Sequence, residues 1–155
     1  MRRTPCTPGE YRTLMRMILR DYPRDRARAD ALPLKTARRN ARTQLQTMLP
    51  HASRTPGHYF DTLREGARIV GYLWYAKQGQ RSLFLCQIYI LAPFRRRGLG
   101  TQAMRLFERR AQALGCREVR LHVFGHNAAA RALYEKLGYT TADLVLAKPL
   151  AGKRK

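Results

Sequence analysis

The sequence predicts a single mixed α/β domain of the α+β type, and three observations carry that prediction. Apolar residues near the N-terminus recur at helical spacing, the middle holds three strand-like runs joined by tight glycine turns, and the last third alternates helix, strand, helix and strand. At 155 residues, 45% of them apolar, the chain is long enough to close one core and too short for a multidomain machine.

The first helix is predicted to start at Thr7-Pro8-Gly9-Glu10, where Thr occupies an N-cap, Pro the first helical position and Glu the reciprocal capping position. Leu14, Met17 and Ile18, between Tyr11 and Tyr22, give it one apolar face, while Arg12, Arg16 and Arg20 line another; it should fade near Pro23. A second helix is expected from about residue 34 to 49, with Leu45, Met48 and Leu49 as a partial stripe. Strands follow at His58 to Leu63, Ile69 to Ala76 and Ser82 to Leu91, separated by Glu65-Gly66 and Gln78-Gly79-Gln80, which is an antiparallel meander. After Pro93 and three arginines, Met104, Phe107, Ala111 and Leu114 share a helical face that Gly115 closes. A strand from Val119 to Phe124, a helix from Ala128 to Leu137 capped by Gly138, and a last strand from Leu144 to Leu150 complete the chain, ahead of the basic tail at 151–155.

Charge is the loudest compositional feature: 31 Lys plus Arg against 10 Asp plus Glu give a formal +21. Such a field draws phosphates, nucleic acid and anionic cofactors and repels polycations, which handicaps polyamines and Lys-rich tails as substrates. Cys6, Cys86 and Cys116 are an odd, scattered set that frames neither a disulfide network nor a metal site. No apolar run approaches the ~20 residues of a membrane span, and the N-terminus lacks a signal-type core, so the expectation is a cytoplasmic protein without membrane contact.

Two segments carry chemistry. In Arg95-Arg96-Arg97-Gly98-Leu99-Gly100-Thr101 a strand turns into a helix, and glycines there let a ligand approach the free amides and positive dipole end of the helix, the surroundings a pyrophosphate prefers. It is neither a Walker A loop nor a dinucleotide fingerprint, and a plain turn would use glycine equally well. About 30 residues on, Gly125-His126-Asn127 leads into a short helix carrying Tyr134; Asn127 suits an N-cap, and Tyr134 lies two turns later on the same face.

Together, Arg95-x-x-Gly98-x-Gly100 after a strand, Asn127, and the run from Ala132 to Tyr139 (ALYEKLGY) closely resemble the GCN5-related N-acetyltransferase superfamily, strongly over residues 82 to 150. The resemblance implies a central mixed, mostly antiparallel sheet of about six or seven strands flanked by about four helices, one domain over 1–155. It places acceptor-side helices in 1–54 and the acetyl-CoA core in 56–150, the fourth and fifth strands splaying to admit the pantetheine arm. It further implies that backbone groups of Ile88, Tyr89 and Ile90 pair with the pantetheine amides, that Arg95, Arg96, Arg97, Gly98, Leu99, Gly100 and Thr101 surround the phosphates, and that Asn127 bonds the cofactor arm. Tyr134 becomes the general acid for the departing thiolate.

Acyl transfer to an amine also needs a proton acceptor, because an amine of pKa about 10.4 is almost wholly protonated at neutral pH. Family members often carry a carboxylate where this chain has Cys86 and Gln87, and no Asp or Glu occurs from Arg68 to Phe107. His122 is the candidate base by intrinsic pKa, with His58 and His51 as alternatives and Cys86 as a conceivable nucleophile; Gln87 and Tyr89 are candidate acceptor contacts. Residues 1–54 hold 13 Lys plus Arg against 4 acids. Three acceptor readings are compatible with this: a small amine that also bears an anion, an RNA-borne amine such as aminoacyl-tRNA, or no acceptor at all in a regulatory acetyl-CoA binder. A homodimer is compatible with each, and no metal is called for.

Overall fold

The computed structural model of the chain describes residues 1–148. Five strands form one sheet in sequential order: β1 (Arg2–Pro5), β2 (His58–Glu65), β3 (Arg68–Gln78), β4 (Ser82–Ile90) and β5 (Glu118–Leu121). The first four pair antiparallel, and β5 pairs parallel to β4, from Ser82 opposite Glu118 to Leu85 opposite Leu121. Helices α1 (Pro8–Ala29) and α2 (Leu34–Met48) pack on one face, and α3 (Leu99–Ala113) and α4 (Ala128–Lys136) on the other.

Alternation along β3 builds both layers. Tyr72 and Trp74 join Leu14, Ile18 and Leu49 under α1 and α2, whereas Leu73 and Tyr75 join Met104, Phe107 and Ala111 under α3. Truncating fully buried Phe107 to Ala would cost about 3–5 kcal/mol by transfer and cavity terms. Gly71 is required by a close approach, since a Cβ there would stand 2.1 Å from the Tyr89 carbonyl oxygen.

Thr7 and Glu10 form the expected capping box. The helix does not fade at Pro23: it runs on to Ala29, with Pro23 fully buried inside it. Proline removes one helical hydrogen bond, and burial of its ring together with the packing of α1 on α2 offsets that loss. Sequence patterning also missed β1, whose residues are polar; Arg3 secures it by an ion pair of 2.9 Å to buried Asp61 on β2.

Two further expectations need correction. The sheet holds five strands among the described residues, fewer than the six or seven expected, because Leu144–Lys148 forms no strand. Leu144, Val145 and Leu146 are 70%, 88% and 84% exposed; β-propensity yields a strand only where a neighbour completes the ladder. Residues 149 and 150 of that expected strand, and the basic tail, lie outside the described residues. The fifth strand also ends at Leu121 rather than Phe124, since Phe124 is drawn out of the sheet against α1: its ring lies 6.1 Å from that of Tyr22 and under the Arg26 guanidinium. No helix among the described residues is long and apolar enough to cross a membrane, and none of their His, Cys, Asp and Glu residues form a metal-binding group.

Candidate active site

A bulge starts the site. Trp74 on β3 opposes Gln87 and Tyr75 opposes Leu85, so Cys86 has no partner and β4 bends there. The same residue marks where β5 departs: pairing stops at Leu85 with Leu121, and from Cys86 to Ile90 the outer edge of β4 is open. An open strand edge presents alternate N–H and C=O groups with no ladder to satisfy them.

A cleft of about 460 Å³ fills this divergence. Cys86, Gln87 and Ile88 line one wall, residues 121–124 with Asn127 the other, and Tyr134 closes it from α4. The α1 and α2 side supplies Ile18, Asp21, Tyr22, Asp25, Leu45 and Met48, with Trp74 beneath. Tyr134 is nearly buried, and that burial pushes its phenol above the ordinary range, so at neutral pH it holds its proton. Asn127 caps α4 by accepting from the Ala130 N–H at 3.1 Å and faces the cleft as well.

At the far end of β4, Gly98 caps α3 in the left-handed region at φ 72°, where only glycine is free of strain. A Cβ at Gly98 would meet nothing within 4 Å, so open space lies before the first turn of α3. At Gly100 a Cβ would come within 3.2 Å of Leu133 Cδ2, which lets α3 and α4 approach closely. Leu99 is buried as a core anchor of this turn, and Thr101 is half-buried. Of the three arginines, Arg95 donates to the Ile90 carbonyl at 3.0 Å and lies over the Tyr89 ring, and Arg97 pairs with Glu65 at 3.3 Å over Phe94. Arg96 is exposed without an ionic partner among the described residues, on a backbone of φ 62°.

The histidines fall in different surroundings. His122 lies just beyond β5, exposed and edge-on to Phe124, and lines the cleft, so it is not the strand residue expected. His58 is held by Trp74, whose indole donates to its Nδ1 at 3.0 Å. His51 is an exposed turn residue away from the cleft lining. Cys86 is pushed up to about 12 by burial, which leaves a neutral thiol and argues against a nucleophile. Tyr89 turns its hydroxyl to α1, donating to Asp21 and accepting from Arg20 at 2.8 Å; burial and the Asp21 contact raise its phenol.

The residues that patterning missed are the carboxylates. Ile18, Asp21, Tyr22 and Asp25 stand at i, i+3, i+4 and i+7, one stripe of α1, and that spacing was readable; that the stripe faces β4 was not. Asp21 is held down at about 2, first by the Arg20 fork, then by the Tyr89 hydroxyl, against an opposing burial effect. Asp25 Oδ1 lies 3.2 Å from His126 Nε2, and His126 stacks on Phe124 at 5.4 Å, so α1 meets the 122–126 segment across the cleft.

Comparisons with known proteins agree with this architecture. The family model described as the acetyltransferase (GNAT) family matches residues 13–139. The curated N-acetyltransferase YycN of Bacillus subtilis, itself uncharacterized, is 29% identical over 151 residues, covering 95% of this chain and 97% of that one. The crystal structure of the Bacillus subtilis YycN protein superposes with a TM-score of 0.92 at 28% identity, over 97% of this chain and 99% of that one. Mycothiol acetyltransferase of Corynebacterium glutamicum (strain R) shares 40% identity over 84 residues, 52% of this chain but only 28% of that protein. With its diverging β4 and β5, its glycine-capped α3 and a family match spanning most of its length, this chain belongs to the GNAT family and is an acetyltransferase.

Proposed function

We propose that the protein moves an acetyl group from acetyl-CoA to the primary amine of a small acceptor by direct attack, with Tyr134 as the general acid. The observation that carries this reading is the position of Tyr134: buried, protonated, without a hydrogen-bond partner among the described residues, and facing the gap between β4 and β5. Acetyl-CoA, when bound, supplies the thioester to be aminolysed. The residues present fit it: the open edge of β4 at Ile88, Tyr89 and Ile90 suits an extended amide-bearing arm, although the Ile90 carbonyl is already engaged by Arg95. The unfilled space before Gly98, Leu99, Gly100 and Thr101 suits phosphates, with Arg96 the arginine free to approach them and Arg95 and Arg97 requiring release from their present partners. Asn127 would orient the arm from the opposite wall.

In this reading Tyr134 donates its proton to the departing sulfur, and its raised pKa keeps it in the acid form throughout the neutral range. The incoming ammonium must lose a proton first; His122, exposed at the cleft, is the candidate acceptor among the histidines, and a water bound there serves equally. Gln87 lines the acceptor half, whereas Tyr89 acts through Asp21. The test is acetyl-CoA binding by calorimetry, followed in the same preparation by thiol release with amines, amino acids and charged tRNA. Binding with acceptor-dependent release supports the reading; absence of binding overturns it. An RNA-borne acceptor would instead reveal itself by affinity that falls steeply with salt.

A further inference from the structure

The walls of the cleft bear on the class of acceptor, given that the protein is the acetyl-CoA-dependent transferase proposed for it. Although the chain carries +21, the acceptor side of its cleft is not cationic. Ile18, Leu45, Met48 and Trp74 provide an apolar surface, and the Trp74 indole N–H is already satisfied by His58, so the ring presents a face and not a donor. Three charged side chains line that side. Arg26 is drawn off by Asp30 at 2.6 Å and lies over the Phe124 ring. Asp21 is neutralised by the Arg20 fork and by Arg24 at 3.6 Å. Asp25 differs: its one ionic partner among the described residues is His126, on Oδ1, and its side chain is 49% exposed.

We infer that the acceptor is a small primary amine with an apolar, uncharged body, admitted as its ammonium form by Asp25 and seated against Ile18, Leu45, Met48 and Trp74. Asp25 meets His126 through Oδ1 alone and is half exposed, so an approaching ammonium finds an accessible carboxylate oxygen at the entrance. An acceptor carboxylate entering the same space would face Asp25 and lose its hydration against an apolar wall. The anionic small acceptor expected from net charge is therefore the disfavoured class, because net charge describes the whole surface and the cleft is a local exception.

A matched pair tests this: 2-phenylethylamine against phenylalanine, which adds only a carboxylate to the same body. Thiol release should show kcat/KM at least about tenfold higher for the amine, the difference lying mainly in KM. Asp25→Asn should raise KM for the amine about tenfold and narrow its lead over phenylalanine, and Asp25→Glu should restore most of both. Calorimetry with acetyl-CoA and a melting curve, run on each variant, confirm a folded, donor-binding protein. Equal or better use of phenylalanine, an unchanged KM in Asp25→Asn, or donor binding with no release on the amine would each overturn the inference while leaving the donor site standing. Failure to bind acetyl-CoA would overturn the acetyl-transfer reading, and this inference with it.

Discussion

Trp74, the chain's one tryptophan, donates its indole N–H to Nδ1 of His58 at 3.0 Å, and this bond fixes the ring that lies beneath the cleft. The bond requires an unprotonated Nδ1, and burial accordingly holds His58 below its ordinary pKa. As pH falls below about 6.5 the unfolded chain takes up this proton first, so native stability falls until the lowered native pKa is passed. The melting temperature of the wild type should therefore drop more between pH 7.5 and pH 5 than that of His58→Gln, whose amide oxygen still accepts the indole. Equal drops would deny His58 this role. Emission from Trp74 reads the same event without interference from another tryptophan.

For Tyr134 the expected variant is Phe, which keeps the ring packed 5.8 Å from Tyr139 and removes only the proton. Turnover should fall by about 10²–10⁴, the usual worth of a general acid, while acetyl-CoA affinity stays within about twofold. Single-turnover thiol release beside calorimetry separates the two; unchanged turnover would end the assignment.

Gly98 and Gly71 should behave oppositely. Gly98→Ala places a side chain in the left-handed region, at about 1–2 kcal/mol, with no steric neighbour; the fold survives and acetyl-CoA binding weakens. In Gly71→Ala the new Cβ meets the Tyr89 carbonyl at 2.1 Å, so β3 and β4 must part and soluble folded protein should be lost. Thermal melts and calorimetry on both variants check the contrast.

The Arg3–Asp61 pair offers a test of β1. Asp61 is 3% exposed and also accepts from the Tyr75 hydroxyl at 2.6 Å, so Arg3→Ala strands a buried carboxylate with a single neutral donor. A loss of about 2–3 kcal/mol in urea unfolding is expected, moderated by the partial exposure of Arg3, and most of it should vanish in the Asp61→Asn background.

Cys86 should resist alkylation in the native protein at pH 8, because burial pushes its thiol up to about 12 and leaves almost no thiolate. Cys86→Ala retaining acetyl transfer would complete the case against an acyl-cysteine route. Rapid native labelling would contradict it.

What the sequence determined by itself was local. The capping box of Thr7 and Glu10, the glycine cap of α3, the three-strand meander and the Asn127 cap of α4 each depend on residues a few positions apart, and each formed where patterning put it. Tertiary structure decided what depends on partners far along the chain. The polar segment Arg2–Pro5 became a strand through Asp61 and β2, α1 continued through Pro23 because its ring is buried, and Leu144–Lys148 formed no strand because no ladder received it. The cleft divides in the same way: Asn127 and Tyr134, singled out by their spacing and by the family resemblance, line it, whereas Asp21 and Asp25 entered it only when α1 packed across β4 and the 122–126 segment. Periodicity records which face of an element is apolar; which charged residue ends up opposite another element is fixed by packing, over separations that periodicity does not sample.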